Sequence, residues 1–235
     1  MRVPPPSAAL ERALADLRPV RTRRPGRVVI GVAGASLAYA GALVWKLGLR
    51  SDWPRLPLGP LALYAAAGLS TFFALLGSAL VPPRGQVLPR RTTGGRSTVL
   101  MLGALIALDL AMVAHPLAAH APPAMSLDGS LAAAARCLGT SFSVAVATVA
   151  LGLWSLRRVG PMAGWRGLVA LGGAAGALAD LVLHLHCATS NPAHVGLVHG
   201  AALALPAALL AVAAPDRLPS QADRNKSVPV PRHDP

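Results

Sequence analysis

The residues of this chain best suited to chemistry are its two cysteines, Cys137 and Cys187, and the histidines around the second of them. His184-Leu185-His186-Cys187 is followed by Asn191-Pro192-Ala193-His194 and then by His199. Thiolate and neutral imidazole together suit zinc or another thiophilic divalent metal, which makes His184, His186, Cys187 and His194 a candidate ligand set. Their spacing departs from the standard zinc signatures, so a reversible disulfide, a static disulfide and packed thiols stand beside the metal. A helix continuing from Asp180 to Cys187 would carry residues 180, 184 and 187 on one face, an acid–imidazole–thiol stripe. His184 beside Cys187 has the types of a base and a nucleophile, but no third orienting group or oxyanion hole accompanies them. His115, His184, His186 and His199 offer imidazoles to a haem, yet no CxxCH attachment signature is present. The cluster is therefore read as a sensing or structural centre of a protein that is not an enzyme.

The elements that must position these residues are apolar. Of 235 residues, 54% are hydrophobic and 13% charged, where a soluble domain carries about 25% charged residues. Six apolar blocks run Val28–Trp45, Gly59–Val81, Thr98–Ala118, Cys137–Leu156, Gly167–His186 and Val195–Ala214. Each approaches the ~20 residues that a helix needs to cross the hydrocarbon of a bilayer. A backbone in hydrocarbon must satisfy its own hydrogen bonds, which separate runs of this length do as helices. The fold class expected is all-α: a polytopic bundle of six transmembrane helices over residues 28–214. Gly172 and Gly176 form a small-xxx-small pair of the kind that lets helices approach closely. Trp45, Trp53, Trp154 and Trp165 fall near the block ends, where an aromatic belt would lie. Met1–Pro19 contains no apolar stretch of a signal peptide.

The basic residues orient the bundle. With both termini in the cytoplasm, 18 of the 22 Lys and Arg lie on the inner side, leaving Lys46, Arg50, Arg55 and Arg136 outside. This satisfies the positive-inside rule. The formal charge of +13 then reports orientation and attraction to anionic lipid, with no nucleic-acid binding implied. The same topology brings Cys137, at the start of the fourth block, and Cys187, at the end of the fifth, to one outward face. A divalent metal such as zinc bound there, or an oxidant, would act from the outer side, where His115 and His120 also fall. Two acids, Asp109 and Asp180, lie within blocks. Acids at that depth face the bundle interior or a polar cavity, and they raise a small membrane transporter as one alternative function, a membrane redox or metal-binding protein being the other.

The first 27 residues form a cytoplasmic arm. Leu10, Leu14 and Leu17 repeat at i, i+4 and i+7 in Ser7–Val20, the pattern of a short amphipathic helix capped by Ser7 and ended by Pro19. A helix of about a dozen residues is marginal alone in water, so its apolar face needs the lipid surface or a protein groove. Residues 215–235 are polar and rich in proline, and they are expected to be a disordered cytoplasmic tail.

In the order Leu10-x3-Leu14-x2-Leu17-Arg18-Pro19-Val20, Cys137, Leu156-Arg157-Arg158-x2-Pro161, Gly172–Ala179 and His186-Cys187, the chain resembles the NrsF family. These are six-span anti-sigma factors of the bacterial inner membrane. The resemblance covers about residues 9–214. It implies that Leu10, Leu14, Leu17 and Arg18 hold an extracytoplasmic-function sigma factor near the membrane. It also implies that Cys137 and Cys187 are the family's outward cysteine pair, implicated in sensing metals or oxidants. One departure is Val198-His199, where members often carry Trp-Tyr in the last span.

Overall fold

The computed structural model describes residues 25–51, 58–81, 93–114, 127–159, 165–187 and 192–213. The arm with Leu10, Leu14, Leu17 and Arg18, the tail from residue 215, Trp53, His115 and His120 lie outside the described residues, as does the side chain of Asp109. What is described is entirely helical: α1 (Pro25–Leu47), α2 (Leu58–Leu80), α3 (Thr93–Ala114), α4 (Leu127–Val159), α5 (Trp165–His186), α6 (Pro192–His194), a π-helical stretch Val195–His199 and α7 (Gly200–Ala213). Pro25 and Pro192 open their helices, where a missing N–H costs nothing.

The protein is a membrane-spanning helical bundle. Five helical stretches are long and apolar enough to cross a bilayer: Pro25–Leu47, Gly59–Leu80, Leu131–Arg157, Trp165–His186 and Val195–Ala213. Helix α3 contributes a shorter described apolar stretch, Thr98–Leu108. Ile30, Leu63, Leu100, Phe142, Leu197 and Val212 point outward and are more than half exposed, as side chains facing lipid must be. Trp45, Trp154 and Trp165 are likewise exposed near helix ends.

Helix α5 is the hub. Of its spanning window 83% is buried, against 22–39% for the other four, and it packs against α1, α2, α3, α4 and α7. Its residues from Ala170 to His184 are buried without interruption, so that stretch has no lipid face. Small side chains make this possible. A Cβ built on Gly176 would lie 2.1 Å from the Leu203 carbonyl oxygen, and one on Gly172 2.4 Å from that of Pro206. These two glycines let the backbone of α7 lie directly on α5.

Helix α4 corrects one sequence boundary. It begins at Leu127 and not near Cys137, and its 33 residues extend about 50 Å, well beyond the hydrocarbon thickness. Ala132–Ala135 favour helix strongly, so the chain is already three turns into α4 when it reaches Cys137. A second junction ties α1 to α5. After α1, Gly48 takes a left-handed φ of 85°, a conformation that glycine adopts without penalty. The following Arg50 N–H donates to the Leu185 carbonyl at 3.0 Å, and His186 Nδ1 meets the Gly48 carbonyl at 2.8 Å.

Candidate functional site

The site is built where α5 ends and the last span begins. Asp180 and His184 lie one helical turn apart on α5 and project to the same side. The chain then passes residues 188–191 and re-enters as α6 and the π-helical stretch. In a regular α-helix two residues five apart diverge by about 140°. The i→i+5 bonding of a π-helix relaxes that divergence. His194, at its N-cap, and His199, its last residue, thus come to one side, with ring centroids 5.9 Å apart.

The first group is Asp180, His184 and His199, all buried. Asp180 Oδ1 lies 3.3 Å from His199 Nδ1 and 3.8 Å from His184 Nε2. The rings of His184 and His199 meet edge-on at 4.7 Å. Across the bundle, Tyr64 of α2 donates its hydroxyl to Asp180 Oδ2, and its ring meets that of His184 at a tilt of 60° with centroids 4.1 Å apart. Among the described residues, Asp180 Oδ1 and both ring nitrogens of His199 are buried without a hydrogen bond of acceptable geometry. Buried polar atoms left without a hydrogen bond are costly.

The second group is Cys137, Cys187 and His194. The two sulfurs are 3.3 Å apart, in contact as thiols and farther apart than the roughly 2.05 Å of a disulfide. His194 Nε2 lies 3.5 Å from Cys187 Sγ. Leu183, Val198 and Ala202 enclose the pair. Each cysteine is 6% exposed, which corrects the expectation of an outer-face centre. Cys137 sits inside α4, and the last span folds over Cys187, so any metal here would be inside the bundle.

The ligand set expected from sequence also separates. His184 faces Asp180 and Tyr64, His194 Nε2 lies against Cys187, and His199 borders both Asp180 and Cys187. His186 is turned away to the Gly48 carbonyl, because residues two apart on a helix point to nearly opposite sides. The expected stripe of 180, 184 and 187 is thus divided between two three-residue groups. Each group could coordinate a metal ion. Cys137, Cys187 and His194 form a soft sulfur-rich set, whereas Asp180, His184 and His199 form a harder nitrogen–oxygen set. Tyr64 carried no local sequence signal, and His199 was visible in the sequence only as one more histidine near the cluster. Tyr64 lies 116 positions from Asp180, and the role of His199 depends on the π-helical phase.

The Tyr64 hydroxyl holds an oxygen of the fully buried Asp180 carboxylate. Tyr64→Phe is expected to destabilise the bundle by about 1–3 kcal/mol through that orphaned acceptor. The shift in thermal unfolding midpoint of the detergent-solubilised protein measures it, and an unchanged midpoint would contradict the buried bond.

Sequence comparison adds a finding independent of this geometry. The NrsF family, described as Negative regulator of sigma F, has a model that matches residues 14–218. No curated protein matches the chain, and no solved structure does.

Proposed function

The chain belongs to the NrsF family, and we propose that it holds its sigma factor through the arm, residues 1–27, and lets it go when the Cys137–Cys187 pair reacts. It is a membrane-associated negative regulator of an extracytoplasmic-function sigma factor, a non-catalytic role. In this reading α3 makes the sixth crossing of a bundle spanning 28–214. Both termini, including the tail 215–235, face the cytoplasm of a cell whose inner membrane holds the protein. Basic clusters such as Arg21–Arg27 rest against anionic lipid, and the chain touches no nucleic acid.

The observation that carries the sensing role is the 3.3 Å contact of the two sulfurs, joined by His194 at 3.5 Å. An oxidant that takes two electrons closes the pair to a disulfide with release of two protons. The sulfurs then move together by about 1.3 Å. A thiophilic divalent metal would instead displace the thiol protons and be held by Cys137, Cys187 and His194. Either event shifts α4 against the end of α5. From there Leu185 and His186 bear on Arg50 and Gly48, at the end of α1, and α1 leads back to the arm. The two states differ in contacts at the dithiol, which is what coupling to a remote partner requires.

Cys137→Ser/Cys187→Ser is expected to retain the sigma factor yet fail to release it on exposure to oxidant or metal. Co-purification from membranes with and without the challenge measures this. Challenge-dependent release from the double variant would overturn the sensor role of the cysteines.

A further inference from the structure

We propose that Asp180, His184 and His199 bind a divalent first-row cation, best matched by zinc, at a site separate from the dithiol. The three donors come from two helical elements that converge only in the folded bundle, and all three residues are buried. In a tetrahedral site with metal–ligand bonds of about 2.0–2.1 Å, neighbouring donors lie roughly 3.3 Å apart. The Asp180 Oδ1 to His199 Nδ1 separation is 3.3 Å, and that to His184 Nε2 is 3.8 Å. All three donor atoms lie within 4.8 Å of one another, close to the separations that an ion would require.

The unsatisfied atoms point the same way. Asp180 is fully buried and His199 is 2% exposed, and the atoms that lack hydrogen bonds are Asp180 Oδ1 and the two His199 nitrogens. The other Asp180 oxygen is already taken by the Tyr64 hydroxyl. This is the division of labour seen at metal carboxylates, where an outer hydrogen bond fixes one oxygen and the second is left to the ion. A divalent cation would also offset the charge of the buried Asp180 carboxylate. The donor set contains no sulfur, so it suits borderline zinc, cobalt(II) or iron(II) better than a soft cation. Three protein ligands leave a fourth position open to water. Bound there, the ion would pin α5 to the π-helical stretch.

The test uses the full chain in lipid nanodiscs with Cys137→Ser/Cys187→Ser as background, so that the dithiol contributes no metal binding. Cobalt(II) is the probe, with zinc as competitor. The expected result is one saturable equivalent of cobalt(II) with ligand-field absorption, no sulfur-to-metal charge-transfer band, displacement by zinc and a raised unfolding temperature. Adding His199→Gln should abolish that equivalent. Adding Tyr64→Phe, which keeps all three ligands, should weaken it about 10–100-fold. If the cysteine-free chain binds no cobalt(II) and zinc does not raise its unfolding temperature, the site does not exist. Binding unchanged by both His199→Gln and Tyr64→Phe overturns the assignment equally. Release of the sigma factor is not read in this assay, so failure of the dithiol mechanism leaves the result standing.

Discussion

Gly176→Ala is expected to destabilise this protein severely, although it adds one methyl group to a helix. The new Cβ would lie 2.1 Å from the Leu203 carbonyl oxygen and 2.9 Å from the carbonyl carbon. Both are backbone atoms, so no side-chain rotation relieves the clash. The two helices must separate by on the order of 1 Å before contact distances become ordinary. Overpacking a well-filled core costs about 1–3 kcal/mol, and more where the backbone itself must move. The displacement opens the densest interface of the bundle and carries His199 away from Asp180. Gly172→Ala meets Pro206 and Ala207 in the same way, and the two changes together should leave little folded protein. Gly139→Ala is the matched control, because its Cβ meets nothing within 4 Å. Unfolding midpoints in detergent should fall steeply for Gly176→Ala and remain within error for Gly139→Ala. Equal midpoints would mean that α7 does not lie on α5 as described.

These glycines also mark how far the sequence could be read. Apolar blocks announce themselves because hydrocarbon imposes length and composition together, and the helices found lie within a few residues of most of them. The exception is instructive. Arg136 next to Cys137 resembles a span boundary, but the alanines before it continue the helix. A long side chain can carry its charge along the helix to the interface, so a basic residue does not end a span. The pair Gly172 and Gly176 was visible, yet glycine and alanine are so frequent in this chain that spacing alone did not select α5 as the buried centre. Selection came from its contact with five other helices, a property of the packed bundle and of no single segment.

The site was legible only as far as one helix extends. The 3.6-residue period places Asp180 and His184 together, and the structure has them so. It says nothing about which imidazole of the following segment faces which partner, because the chain leaves α5 and resumes with a different twist. A π-helical stretch has no strong sequence signature, and it is what brings His194 and His199 to one side. The Tyr64 contact joins α2 to α5 and appears only when both are packed. His186 was counted among the ligands by adjacency. Its turn toward Gly48 makes it part of the junction between α5 and α1 instead.

Replacing Leu10, Leu14 and Leu17 together with glutamate is expected to abolish capture of the sigma factor while leaving the bundle in the membrane. In the proposed arm helix the three leucines, spaced i, i+4 and i+7, would make an apolar stripe, and an amphipathic helix binds a groove through such a stripe. Each buried leucine contributes about 1.5–3 kcal/mol of transfer free energy, and charge at the same positions adds a desolvation penalty. Even with partial compensation the combined loss corresponds to at least a thousandfold, at about 1.4 kcal/mol per factor of ten. The family match begins at residue 14, so Leu14, Leu17 and Arg18 lie within the part of the chain that the family shares. The variant should reach the membrane in normal amount, since the three residues precede the first described spanning helix, Pro25–Leu47. Transcription dependent on the sigma factor should then become constitutive and indifferent to oxidant or metal. This differs from the cysteine double variant, in which transcription should stay repressed under the same challenge. Opposite phenotypes from the two changes would separate holding from release. Continued co-purification of the sigma factor with the glutamate variant would show that the arm is not the holding element, and the cytoplasmic loops would then have to supply it.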